Sequence, residues 1–483
     1  MLDGLVALVN ASLVQQSTAE DGEPRLQLLE SVRDFAWEQL TARGLARSAT
    51  DRHLQLFAAR AAAAAPELRQ ADAPRWLDRL EDDEPDLLVA LERATSSGNT
   101  EALIRLLSAL LPYWSFRGQL HEGQRWLTRT SALLTLLPDD EPEPLRALRA
   151  AVLSEAGTLC FHRGDLPAAL HFLEASLAGW RTISDQKSHV AAIAHVAGTL
   201  WVAELNGQHS DAARARTTLE ALATTTSDAE ALAKLALIRG IVARSSGRPL
   251  LAREQLSAAL AFYRIRGDLE LLAIVLLNLT SVLLILGDEV GAAAHATEVW
   301  QLGQRLRSQT LLAHALNDLG EIARYRGDNE LAERHYQESL QLLRRMGSLG
   351  QIPRLVHNLG QVALRRGQLP RAGTQFVQSL RLFAEQGGER GMLEALIALG
   401  ALATARDQPL LAARLWGAAE GLGKPPGLDL WPPDQLTYAE ALMHARAASA
   451  SSAFAAAWQD GRGLDWEAAR VLAESVATAA APA

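Results

Sequence analysis

"EIARYRGDNELAERHYQESLQLLRRMG" runs from Glu321 to Gly347, and 40 residues on "QVALRRGQLPRAGTQFVQSLRLFAEQG" runs from Gln361 to Gly387. Few letters agree, yet the punctuation is the same. Gly stands seventh and last in both stretches. Between them Ala332 matches Ala372, Tyr336 matches Phe376 and Ser339 matches Ser379. A chain that repeats its small and bulky residues while the rest drift is repeating a shape.

Marking the Gly between two helical patterns gives Gly118, Gly164, Gly207, Gly247, Gly287, Gly327 and Gly367, and Asp407 takes the next place. The last five are each 40 apart, while the earlier spacings are 46 and 43. A fixed period of this length is the signature of a solenoid. Seven residues before the mark stand Gly157, Gly240, Gly320, Gly360 and Gly400. Five after it stand Ala169, Ala212, Ala252, Ala292, Ala332, Ala372 and Ala412. Nine after it come Leu173, Leu256, Tyr336, Phe376 and Trp416, with Arg216 and Ala296 as exceptions. The marked Gly takes the positive φ that ends a helix tightly. The small residues let two helices cross closely, and the large one is expected to fill the gap between one hairpin and the next. A further joint at Gly267, Gly347 and Gly387 closes the second helix. Each unit is thus helix, Gly turn, helix. One unit cannot bury its apolar face alone, so the units stack and the ends need caps.

"LNDLGEIARYRGDNELAERHY" resembles the tetratricopeptide repeat (TPR) at Leu319, Gly320, Gly327, Ala332 and Tyr336. The repeat is 40 residues, against about 34 in the common form, and the usual Pro closing the second helix is missing. The resemblance covers about Leu106 to Leu422. It implies an all-α superhelix of helical hairpins whose first helices line a concave groove.

The ends differ. "LDGLVALVNASLV" reads as helix, "VQQSTAEDGEPRLQLLESV" as strand, turn at Asp21–Gly22 and strand, and "LLESVRDFAWEQLTARG" as helix. This resembles the back half of the winged helix in the signal-transduction ATPases with numerous domains, the STAND class, whose nucleotide-binding domain precedes a winged helix and a TPR-like sensor. The string G-x-x-x-x-G-K-[ST] occurs nowhere; "GLGKPPG" at Gly421–Gly427 has Pro after Lys424. The ATPase is therefore expected outside this sequence, with the sequence either starting late or being the C-terminal part of a longer protein. The organisation expected is a partial winged-helix segment at 1–48, a helical linker at 49–105, repeats at 106–425 and a helical cap at 426–483.

Composition limits the partners. The 483 residues are 48% hydrophobic with net charge −9, enough for a large core and poorly suited to nucleic acid. Residues 1–47 hold four Arg (Arg25, Arg33, Arg43, Arg47) against seven acids, so this segment is not expected to read DNA. Cys160 is the single cysteine, which excludes an internal disulfide and suits a reducing cytoplasm. "LLAIVLLNLTSVLLILG", Leu271–Gly287, is apolar but in phase with the repeat. It falls short of the ~20 residues of a membrane span, so it reads as a buried helix and no membrane partner is expected.

No enzyme motif is found: no C-x-x-C, H-E-x-x-H or G-x-S-x-G. His189 and His195 read as exposed helix residues, and Cys160 as buried and structural. "EDDEP", Glu81–Pro85, reads as an acidic helix start with Pro in its first turn. No catalysis, metal or cofactor is expected. One constellation points to binding. Asn278, Asp318 and Asn358 are 40 apart on the first helices, as are Ser281, Glu321 and Gln361; Asn317, Arg324, His357 and Arg365 lie near them. The TPR resemblance implies that Asn here hydrogen-bonds the backbone of an extended peptide. The expected partner is a protein, a peptide or a small inducer, with an ATPase module in the same or another chain; the other reading is a stand-alone TPR scaffold.

Overall fold

The computed structural model describes residues 2–18, 24–70, 72–136, 141–180, 182–183, 228–423 and 430–478. Gly207 and its repeat, His189, His195, the Asp21–Gly22 bend and Lys424–Gly427 lie outside them. The chain divides into two compact units, Met1–Leu68 with Asp72–Leu110, and Arg69–Ala71 with Leu111–Ala483.

The first unit opens with α1 (Leu2–Asn10), β1 (Val14–Thr18), β2 (Pro24–Leu28) and α2 (Glu30–Ala42). The strands are antiparallel, pairing Val14 with Leu28 and Gln16 with Leu26. Helices α3 (Ala46–Ala64) and α4 (Ala73–Ser97) pack together, and α5 (Thr100–Arg117) begins in this unit. Pro85 lies inside α4 rather than at a helix start. The expectation for "EDDEP" is corrected: the stripe Leu77, Leu80, Leu87 and Leu91 is buried on both sides of the proline. That burial outweighs the one backbone hydrogen bond proline cannot donate.

The second unit is all helix among its described residues: α6 (Leu120–Thr135), α7 (Glu143–Arg163), α8 (Leu166–Trp180), α9 (Ala229–Ser245), α10 (Pro249–Arg266), α11 (Leu269–Ile285), α12 (Glu289–Arg305), α13 (Gln309–Tyr325), α14 (Asn329–Met346), α15 (Ile352–Arg365), α16 (Leu369–Glu385), α17 (Glu389–Ala405) and α18 (Pro409–Leu422). From α7 to α18 they pair as hairpins, and each hairpin from α9 onward packs on the next. The fold is the TPR-type solenoid expected. Gly327 (φ 79°) and Gly367 (φ 71°) turn the chain between paired helices, and Asp407 takes the same turn at φ 58°. Arg307 (φ 48°) stands in register between the joints at Gly267 and Gly347, a place periodicity alone left blank. Asp side chains start several helices: Asp268, Asp288 and Asp328 accept from the backbone N–H three residues on, at 2.9–3.0 Å.

The large residue lies on the small residue of its own hairpin. A Cβ on Gly320 would stand 2.5 Å from Tyr336, on Gly360 2.6 Å from Phe376 and on Gly400 2.2 Å from Trp416. The exception follows the same rule with the sizes exchanged. Where the first position is Thr280, the partner position is Ala296, and both are fully buried. The crossing stays filled although both residues differ.

Early and late parts of the array also touch. Ser348 donates to the His162 carbonyl at 2.9 Å, Gly350 N–H to the same oxygen at 3.2 Å, and Thr310 to the Ser115 carbonyl at 2.9 Å. The cap is α19 (Pro432–Ala447), α20 (Ser451–Arg462) and α21 (Trp466–Thr478). Helix α20 crosses α18 so closely that a Cβ on Gly417 would meet the Trp458 carbonyl at 2.0 Å. Trp416 is enclosed, donating to the Ile397 carbonyl at 3.1 Å and meeting Tyr438 edge-on at 5.4 Å. Ten residues of α11 are buried, and among the described residues no helix is long and apolar enough to cross a membrane.

Candidate functional site: the wall of first helices

The first helices α11, α13, α15 and α17 stand side by side, so residues 40 apart in sequence meet in space. Asn358 Nδ2 on α15 donates to Glu321 Oε1 on α13 at 2.5 Å, and lies 3.4 Å from Asn317 Oδ1. Asn317 Nδ2 in turn donates to Asp318 Oδ1 at 3.4 Å. Arg324 donates to Glu321 Oε2 at 2.7 Å. His357 and Gln361 share a hydrogen bond of 3.2 Å between their Nε2 atoms. Glu321, Arg324, His357, Asn358 and Gln361 are all buried. Apart from Arg365, the α13 and α15 side chains expected in the groove are thus brought into one network.

The other expected residues stand apart. Asn278 and Ser281 on α11 are half-buried and turn back on their own helix, Asn278 Nδ2 to the Ile274 carbonyl at 2.8 Å and Ser281 Oγ to the Leu277 carbonyl at 3.4 Å. Arg365 is exposed and pairs with Glu440 of α19 at 2.7 Å.

Sequence reasoning missed the residue that closes the network. Asp434, in the first turn of α19, accepts a hydrogen bond from Arg324, and its other oxygen lies 3.8 Å from His357 Nε2. No spacing announces this contact, because the partners are 110 residues apart and the cap has no repeat. Three residues earlier, Trp431 packs on an apolar cluster of Leu283, Leu284, Ala292, Ala296 and Ile322. Also missed were Arg354, which donates to Glu394 on α17, and Arg390, whose Nε is 3.2 Å from the same carboxylate.

Charge and burial compete here. Burial pushes the Asp434 carboxyl up, but Arg324 and His357 outweigh it and hold the group well below the usual carboxylate range. At Asp318 the opposing influence of Asn317 and Arg244 is weaker than burial. Burial first, and Glu321 second, push its carboxyl up to about 8. Arg244 on α9 is brought down to about 10, by burial and then by Arg390. Several buried polar atoms have no hydrogen-bond partner: Asp318 Oδ2, His357 Nδ1, Gln361 Oε1, Arg324 Nε and Trp431 Nε1. Each such atom costs roughly 1–3 kcal/mol, so the wall carries more polarity than a purely structural contact needs. Nothing in the network pairs a nucleophile with a base. Cys160, far along the chain, is buried and its thiol is pushed up to about 12 by burial and Asp165. Among the described residues no group of His, Cys, Asp and Glu could hold a metal.

The fold is a TPR-like solenoid of helical hairpins. No protein-family model matches the chain. Curated relatives from Mycobacterium tuberculosis and Mycobacterium bovis, provisionally named HTH-type transcriptional regulators, are 33% identical over 126 residues, which is 26% of this chain and 14% of each relative. The chain therefore aligns with only a small part of these relatives. Among solved structures, a Rap protein complexed with competence and sporulation factor is similar over 71% of this chain and 98% of its own, at 12% identity and TM-score 0.43. A STAND protein with a tetratricopeptide repeat sensor from Pyrococcus horikoshii is similar over 91% of this chain and 57% of its own, at 13% identity and TM-score 0.41.

Proposed function

We propose that the array is the sensing part of a STAND-type transcriptional regulator. It receives a protein, a peptide or a small inducer on the wall of first helices and answers to an ATPase module in the same or another chain. The observation that carries this reading is the polar wall itself. A stack held together only by packing would present apolar residues between neighbouring first helices. This one presents amide and carboxylate groups at a 40-residue interval, with the Arg324 guanidinium and the His357 imidazole beside them. Such groups recognise partners by hydrogen bonds at fixed spacing. The helix, hairpin and helix at Leu2–Ala42, and the partial match to HTH-type regulators, favour a regulator. The second reading is a stand-alone TPR scaffold that joins other proteins. The chain is non-catalytic in either reading and acts in the cytoplasm, where its single cysteine stays reduced.

Two measurements test this. In the native cell, the species carrying this tail is sized against 52.2 kDa. A much larger species with a P-loop peptide supports the regulator; a species of this mass whose partners lack such a module supports the scaffold. Partner recovery is then compared between the wild-type chain and Asn278→Ala/Ser281→Ala, residues with no role in the buried network. A loss of about ten-fold with unchanged melting is expected. Equal recovery would remove the groove reading. Asn358→Ala is a poorer test, because Asn358 also supports Glu321.

A further inference from the structure

We propose that the stretch Leu430–Asp434 is an internal occupant of the wall, and that the partner is a protein segment carrying an aromatic residue followed three positions later by a carboxylate. This rests on the groove reading above and adds the chemistry of the ligand and its control. The stretch reads Leu-Trp-Pro-Pro-Asp. Trp431 lies on the apolar cluster that includes Leu284 and Ile322. Asp434 lies between Arg324 and His357. The two anchors thus reach two kinds of surface on the first-helix side of the array, one apolar and one cationic. Pro432 and Pro433 hold the segment between them stiff, so little conformational freedom is lost on docking.

Three observations separate an occupant from ordinary cap packing. The main cap contact is elsewhere, between α18 and α20 through Gly417 and Gly461, and does not use these residues. Trp431 is only partly buried, and its indole Nε1 is enclosed without a partner. His357 Nδ1 and Gln361 Oε1 beside Asp434 are likewise buried and unpartnered. The segment therefore satisfies the charge of Arg324 but not the hydrogen-bonding capacity around it. A partner with the same two anchors and better-placed amide groups would compete successfully. A carboxylate is the required group, because removing Asp434 without replacement leaves Arg324 buried with Glu321 as its one acidic hydrogen-bond partner.

The probe is a fluorescent synthetic peptide copying residues 428–436, Leu-Asp-Leu-Trp-Pro-Pro-Asp-Gln-Leu. It is titrated by polarisation against the full chain, against Trp431→Ala/Asp434→Asn, and against that double variant with Arg324→Gln added. Binding to the double variant is expected at least ten-fold tighter than to the wild type. It should be lost when the peptide itself carries Asp434→Asn or when Arg324 is replaced. Equal binding to wild type and double variant, or none to either, overturns the proposal. Should the double variant not fold, hydrogen exchange of 430–436 in the wild-type chain decides. Excess peptide is expected to speed that exchange, and unchanged exchange overturns the proposal. Failure here leaves the groove reading standing if Asn278→Ala/Ser281→Ala still reduces partner recovery. If that pair is silent too, the groove reading falls with it.

Discussion

Helices α2 and α15 are of similar length and both amphipathic in sequence, yet their surroundings are opposite. Helix α2, in the first unit, buries none of its 13 residues, and Phe35 is 62% and Trp37 48% exposed. Helix α15, in the array, buries 11 of its 14, including His357, Asn358 and Gln361. The difference is in the number of neighbours. A helix in the middle of a stack has its own partner, the preceding hairpin and the following one, so even its polar face is enclosed. The main packing partner of α2 is α3, and that contact is small. A polar residue on α15 is therefore forced into hydrogen bonds, while an aromatic on α2 remains open to water.

That comparison can be broken in three places. The largest effect is expected at Trp416, fully buried between Gly400 and Tyr438. Trp416→Ala should cost about 3–5 kcal/mol, read as a lower denaturation midpoint in urea. A loss under about 1 kcal/mol, the size typical of ordinary point changes, would mean that the last hairpin is not held by this crossing.

Next comes Asp318. Its carboxyl is pushed up to about 8 in the fold, against about 3.9 in an unfolded chain. The folded state holds the proton through that window, so the favourable contribution is complete below pH 4 and is lost as pH rises to 8. The groups facing it are Glu321, Asn317 and Arg244. His162 and His314 have the opposite sign. Burial brings both down to about 4, so their contribution is complete above about pH 6.5 and lost as pH falls toward 4. Asp318→Asn should remove only the first trend, raising Tm by more at pH 8 than at pH 5. An equal change at both pH values would show that Asp318 ionises normally.

The smallest effect is expected on α2. Phe35→Ser and Trp37→Ser should each change stability by no more than about 0.5 kcal/mol, as exposed substitutions do. A Tm drop of several degrees in either variant would show that this face is covered in solution and would erase the contrast with α15.

Much of the array was legible in the sequence. The turn at Gly367 and the crossing of Gly360 with Phe376 depend on residues within about one repeat of each other, so they recur at a fixed interval and can be read as a pattern. The Thr280–Ala296 exchange was missed because the pattern was read as residue identity, whereas the crossing needs only to be filled. Pro85 was misplaced because a local rule for helix starts was applied to a helix whose buried stripe runs past the proline. The candidate site was half legible. Periodicity aligned Asp318 with Asn358 and Glu321 with Gln361, but said nothing of which would be enclosed.

By itself, then, the sequence determined the hairpins, their register and the polar row on their first helices, because each rests on backbone conformation and on contacts within a single period. Only the tertiary structure decided that α19 returns to that row and sets Asp434 beside Arg324 and His357. That pairing joins a repeating element to a non-repeating one across 110 residues. Charge attraction across such a separation leaves no period in the chain, and it acts only once the stack has brought the groups into a common, water-excluded space.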